Sequence, residues 1–110
     1  MIKVLFLTGI SLLFILPRTE PNVASVSGYV TDANRAPIAR ATVSFRNVFS
    51  GKVDVANTDS SGSYNLMGIR QGRYSAFATA EGYGSVWIFN IILCSGEHRQ
   101  LDFILTREPQ

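Results

Sequence analysis

One cysteine and one histidine are all that this chain of 110 residues offers to redox or imidazole chemistry. With Cys94 alone, no disulfide can form within the chain, so a small domain has to draw its stability from a well-filled core. Cys94 closes an apolar run, which predicts a buried thiol behaving as a small hydrophobe. With His98 as the sole imidazole, a zinc site cannot be assembled from histidines. A serine triad would have to take His98 as its base, and no nucleophile-elbow motif leads into a helix. A Gly-rich phosphate loop and an Asn-x-Ser/Thr acceptor are also missing. No catalytic, metal or cofactor residues are therefore expected, and the chain reads as a non-enzyme.

Charge of one sign is scarce as well. The formal net charge is +2, and beyond residue 24 eight basic residues stand against seven acidic ones. Arg35, Arg40, Arg46, Arg70, Arg73, Arg99 and Arg107 are spread along the chain, which predicts solvated surface. Binding to nucleic acid would need Lys and Arg clustered to neutralise phosphates, so a nucleic-acid partner is not expected.

Long apolar runs are limited to one, Val4 to Leu16, with Lys3 ahead of it and Pro17, Arg18 and Glu20 behind. A positive charge before a short apolar core is the layout of a secretory signal. As a helix the run would rise only ~20 Å against a hydrocarbon core of ~30 Å, so a membrane span is disfavoured. No small-x-small pair stands at the usual distance; Asn22-Val23-Ala24, with cleavage before Ser25, is the least bad candidate, and an uncleaved anchor or a mis-called start is the other reading. The expected organisation is a signal peptide and leader over 1–24, one domain over 25–107 and a tail over 108–110, in a secreted or periplasmic protein with no transmembrane span in its mature part.

What remains is a chain of short alternating runs. Val26, Gly28 and Val30 alternate with Ser27, Tyr29 and Thr31, and Ala41, Val43 and Phe45 with Thr42, Ser44 and Arg46. A period of two turns one set toward a core and the other toward water. Turn chemistry separates the runs at Asp32–Pro37, Ser50-Gly51, Thr58–Gly62, Met67–Gly72, Glu81–Gly84 and Ser95–Glu97. No helical stripe follows residue 24, so the reading is all-β, a seven-stranded Greek-key sandwich of immunoglobulin-like architecture. The strands fall near 26–31, 41–46, 52–58, 63–66, 73–80, 85–94 and 98–106. Asp59-Ser-Ser-Gly-Ser63 and Asp32 with Asn34 could offer oxygen ligands to calcium, yet without further carboxylates they read as turns closed by their own side chains.

The order of the turn residues carries a resemblance. Gly28-x-Val30-x-Asp32, Pro37-Ile38, Ala41-x-Val43, Thr58-Asp59-x-x-Gly62-x-Tyr64, Gly72-x-Tyr74, Ala80-x-Gly82-Tyr83, Leu93-x-x-Gly96 and Leu101-Asp102-Phe103-x-Leu105 resemble the carboxypeptidase regulatory-like domain family over about residues 24–106. The resemblance implies a transthyretin-like, seven-stranded sandwich, also grouped with carbohydrate-binding-like folds, and a non-catalytic accessory module. It names no ligand. In the residues themselves, Tyr64 and Tyr74 suit core positions where the ring is buried and the hydroxyl finds a backbone partner.

Candidate ligand-binding residues cluster around Tyr83-Gly-Ser-Val-Trp87-Ile-Phe89. Strict alternation puts Trp87 and Phe89 on the side of Ile91 and Leu93, the core side, and turns Ile88 and Ile92 outward. Two functions stay open. The first is an interaction or spacing module that docks a protein through a sheet edge, with possible self-association, or through the Ile88/Ile92 flank. The second is a small carbohydrate-binding protein that stacks a polysaccharide on Tyr83 and Trp87, helped by Glu81, Asn90 and Arg73.

Overall fold

The computed structural model describes residues 22–108, so the expected leader up to residue 21 lies outside the described residues, while Val23 and Ala24, which the sequence reading places in that leader, begin the first strand. Among the described residues all regular structure is β. The strands are β1 (Val23–Thr31), β2 (Thr42–Asn47), β3 (Val53–Asn57), β4 (Ser63–Arg70), β5 (Gly72–Thr79), β6 (Val86–Leu93), β7 (His98–Gln100) and β8 (Phe103–Ile104). They form two sheets. In one, β1 lies between β4 and the β7/β8 pair; the other has the order β3-β2-β5-β6. Among the described residues no helix is long and apolar enough to cross a membrane.

The core is what the alternation predicts. Val26, Val30, Val43, Phe45, Ile69, Tyr74, Leu93, Phe103 and Leu105 are all but sealed from water. Each side chain of that size contributes roughly 2 kcal/mol relative to leaving it exposed. Both core tyrosines keep a polar handle inside. The Tyr64 hydroxyl donates to the Leu101 carbonyl and the Tyr74 hydroxyl to the Arg70 carbonyl at 2.7 Å. Burial, helped by the nearby Asp102 charge, pushes the Tyr64 hydroxyl far above its ordinary range, so it stays a donor. Thr58, the buried polar residue, accepts from Ala41 N at 2.8 Å and donates to Ile38 O at 2.6 Å.

Three departures from the expected strands have local causes. The last strand is interrupted, giving eight elements rather than seven. β1 pairs in parallel with β7 through Ser25–Ser27 and with β8 through Val30–Thr31. Between them the Asp102 carboxylate, rather than a carbonyl, accepts from Tyr29 N at 2.9 Å. Gly28 lies under this crossing, where a Cβ would stand 2.0 Å from the Leu101 carbonyl oxygen.

Strand β4 runs on to Arg70, past the Met67-Gly68 that reads as a turn. Met67 and Gly68 together oppose Ser25, and the register shifts by one. Gly68 takes φ 68°, so the glycine makes a bulge in place of a strand end, and Ile69 returns to the core at 1% exposure. The third departure is a second bulge, in β6, which sets the face described next.

The turns carry the acidic groups. Asp59 accepts from Ser61 N, Ser61 Oγ and Ser63 N at 2.8–3.0 Å and closes the β3–β4 turn. Asp32 does the same for Asn34 N and Ala36 N. The Ser63 amide first, then the Ser61 hydroxyl, hold the Asp59 carboxyl below its usual range. The Cys94 amide first, then Arg99, do so for Glu97. Both groups bind protons more weakly in the folded chain than in the unfolded one. Each therefore adds stability at neutral pH that fades as pH falls below about 4 and through the lowered folded values. Thermal melts between about pH 6 and about pH 3 should show stability dropping with acid, and Asp59→Asn with Glu97→Gln should flatten that slope.

Candidate docking face

The β5–β6 ladder pairs Ala78 with Val86, Phe77 with Trp87 and Ala76 with Ile88, then resumes with Tyr74 opposite Ile91 and Arg73 opposite Ile92. Between these stretches Phe89 and Asn90 both oppose Ser75. Asn90 adopts φ 63°, a conformation Asn tolerates better than most residues. This bulge reverses the parity of β6. Trp87 and Phe89 point outward, not toward the core as strict alternation predicts, with 53% and 67% of their surface exposed. Ile88, expected outside, is half-buried against the core, while Ile92 is outside as expected.

Outward residues of the four strands form rows across the sheet. Val55, Ser44, Phe77 and Trp87 make the central row, in which the Phe77 and Trp87 rings lie 4.3 Å apart between centroids. Trp87 and Phe89 follow one another along β6 with ring planes 3° apart and centroids at 5.8 Å. Toward one end stand Val53, Arg46 and Ser75, then Arg73 opposite Ile92. Toward the other stand Asn57, Thr42 and Thr79, whose hydroxyl meets Ser85 Oγ at 3.4 Å. Aromatic centre, cationic end and hydroxyl end thus share one open surface.

The edge beside it is closed along part of its length. Arg99 donates to the Ile92 carbonyl at 2.7 Å, and the Glu97 carboxylate accepts from Cys94 N at 2.8 Å. A second Glu97 oxygen holds Arg99 at 2.6 Å, so one ion pair occupies two backbone groups at the end of β6. With the bulge just before it, this edge offers no regular ladder to an incoming strand. Cys94 is exposed here, not buried, because it follows inward Leu93 and sits in the turn that Glu97 closes.

The sequence-predicted site residues divide. Trp87, Asn90 and Arg73 lie on β5 and β6 and share this surface. Tyr83 and Glu81 do not join them. Tyr83 packs against the core at the end of the sandwich, bridged to Arg107, whose guanidinium lies 5.4 Å from the ring centroid. Glu81 lines a shallow recess there with Pro37, Arg40 and Tyr83. Phe77 and Arg46 belong to the face and were not singled out by sequence. Parity could have found Phe77, since Tyr74, Ala76 and Ala78 claim the inner side of β5. His98 meets Ser25 Oγ at 2.5 Å and Ser27 Oγ at 3.4 Å, with no carboxylate among its hydrogen-bond partners. Among the described residues no three His, Cys, Asp or Glu side chains gather as a metal site would require.

Comparison with solved structures shows the same fold on larger proteins. Catechol 1,2-dioxygenase from Acinetobacter radioresistens is 14% identical with a TM-score of 0.65, covering 83% of this chain and 54% of its own. A Bacteroides uniformis protein to which carbohydrate binding has been ascribed is 13% identical with a TM-score of 0.62, covering 78% of this chain and 42% of its own. A chain of a type II cohesin–X-dockerin complex from Acetivibrio cellulolyticus is 24% identical with a TM-score of 0.55, covering 74% and 56%. This chain thus spans about half the length of the structures it resembles. No curated protein matches it. The carboxypeptidase regulatory-like domain model matches residues 25–106, nearly the whole described sandwich with its Gly28, Tyr64 and Tyr74 positions, and the chain belongs to that family.

Proposed function

We propose that the chain is an exported, non-catalytic accessory module that docks a partner protein on the outer face of the β3-β2-β5-β6 sheet. One observation carries this reading: the Trp87 ring meets both Phe77 and Phe89, Trp87 and Phe89 stand more than half exposed, and the row of Phe77 and Trp87 continues through Val55. Clustered exposed apolar surface marks association sites, and aromatic residues with Arg are enriched where interfaces bury most deeply. The occupied end of β6 favours docking on the face over pairing at the edge. Export rests on the apolar run behind Lys3, and the absence of catalysis on the poverty of His98's surroundings.

The test is selection of displayed random peptides on the chain, followed by affinity measurement against Trp87→Ala. Selected peptides should lose about thirtyfold in affinity, as expected for an aromatic hot spot of about 2 kcal/mol. Peptides that bind Trp87→Ala equally well would remove this face from the function. Sedimentation run alongside would reveal a second copy as the partner, if mass rises with concentration in the wild type and not in the variant.

A second reading is favoured by the parallel Trp87 and Phe89 planes, which could accept the C–H face of sugar rings as a small carbohydrate-binding protein would. Arg73 and Asn90 stay available to such a ligand; Tyr83 and Glu81 do not. Saturable binding of a polysaccharide that is lost in Trp87→Ala, with the fold retained, would put this reading first.

A further inference from the structure

The charge on this face is one-sided. On the four strands of its sheet the lone carboxylate is Asp54, which takes the inward parity beside Phe45 and is met by Lys52 at 3.5 Å. The outward cations are Arg46 and Arg73, both exposed. Arg46 is paired with Ser75, and Arg73 is two residues further along the same strand, so the two arginines are diagonal neighbours. Diagonal positions on one face lie about 7–8 Å apart, within reach of long side chains. Neither arginine is in an ion pair among the described residues, where Lys52–Asp54 and Arg99–Glu97 are the pairs formed. Two like charges side by side with no carboxylate in ion-pair contact weaken the isolated fold slightly. A ligand carboxylate between them would turn that repulsion into a charge-assisted, forked hydrogen bond.

Resting on the protein-docking reading, we infer that the partner presents an acidic segment to this end of the face, with a carboxylate between Arg46 and Arg73 and an apolar anchor on Phe77, Trp87 and Phe89. The arginine rows lie one and two outward steps from the Phe77 row. At ~3.3 Å per residue an extended segment lying along β5 would therefore carry its Asp or Glu about two to four residues from its apolar anchor.

The probes are three short synthetic peptides with a central Phe and with Glu, Gln or Lys at those spacings, titrated by fluorescence anisotropy against the full chain. The Glu peptide should bind at least about tenfold tighter than the Gln peptide, and the Lys peptide should bind least. Its advantage should shrink between about 0.05 M and about 0.5 M salt as screening shortens. Arg46→Gln with Arg73→Gln should erase the difference, and Arg46→Lys with Arg73→Lys should keep most of it. Equal binding of the Glu and Gln peptides, with both lost in Trp87→Ala, overturns the acidic partner and leaves the docking face standing. No peptide that depends on Trp87 overturns both. Binding of polygalacturonate, a uronate polymer, that needs both arginines and Trp87 while the Glu peptide does not bind would replace the protein partner with an acidic glycan.

Discussion

Leu93→Ala should cost about 3 kcal/mol and Phe89→Ala less than about 1 kcal/mol, although strict alternation would put both side chains on one face of β6. The reason is parity. Inward residues of β6 come in two pairs, Val86 with Ile88 and Ile91 with Leu93, and three positions rather than two separate Ile88 from Ile91. Without a bulge a strand of this length could keep only one pair inside. Keeping Ile91 and Leu93 inward would drive Trp87 and Phe89 into a core whose facing positions, Ala76 and Ala78, are fully buried. Keeping Val86 and Ile88 inward would turn Leu93, 1% exposed, into water. The extra residue opposite Ser75 resolves the conflict, since a one-residue slip flips every side chain beyond it. Deleting Asn90 restores strict alternation with Val86, Ile88, Ile91 and Leu93 all inward, so that variant should keep the fold and an exposed Trp87. Asn90→Gly keeps the length and favours the positive φ, and should change stability by less than about 1 kcal/mol. Urea unfolding of these variants, followed by the emission of the sole tryptophan, decides the matter. A Leu93→Ala variant no less stable than Phe89→Ala, or a deletion variant whose Trp87 is buried, would show that parity does not place the face.

Gly28→Ala should be the most damaging single-atom addition, costing about 3 kcal/mol or more. The position has no left-handed backbone to protect. What it has is neighbours: the added Cβ would meet the Leu101 carbonyl oxygen at 2.0 Å, the Leu101 carbonyl carbon at 2.7 Å and Asp102 Oδ1 at 2.8 Å. Two of these are backbone and cannot rotate away. The same Leu101 carbonyl accepts from Tyr64, and Asp102 accepts from Tyr29 N. Pushing the final strand outward therefore breaks both bonds while loosening Phe103 and Leu105 below. Gly82→Ala, where no atom lies within 4 Å but φ is 86°, serves as a comparison limited to backbone strain. If Gly28→Ala melts no lower than Gly82→Ala, the close approach does not constrain the strand.

Most of the fold was legible in local pattern. Alternation in 26–31 and 41–46 placed Val26, Val30, Val43 and Phe45 inside, and the spacing of turn residues carried the family. Two of the misreadings share a cause. At Met67-Gly68 and at Phe89-Asn90 one extra residue is absorbed into a continuing strand, and a period of two cannot register an insertion that the pairing partner tolerates. The first hid four residues of β4; the second inverted Trp87 and Ile88. Other features were invisible because they are not local. Arg46 and Arg73 are 27 positions apart in sequence and become diagonal neighbours only through the β2–β5 register. Tyr83 and Trp87, four positions apart, are separated by the turn that sends one ring to the end of the sandwich and the other to its face.

The parallel pairing of the first strand with the last has a mechanical consequence. β1 enters the sandwich beside Glu97–His98 and leaves it beside Phe103–Ile104, so the chain arrives at one end and departs from the other. Tension applied at Val23 and Leu105 runs along the strands and loads the bonds from Ser25 N to Glu97 O, Leu101 N to Ser27 O, Tyr29 N to Asp102 and Leu105 N to Thr31 O together. Those bonds are sheared in concert, not peeled one after another. A partner held on the outer face of the other sheet would sit off that line of force, gripped by strands that the tension does not directly load.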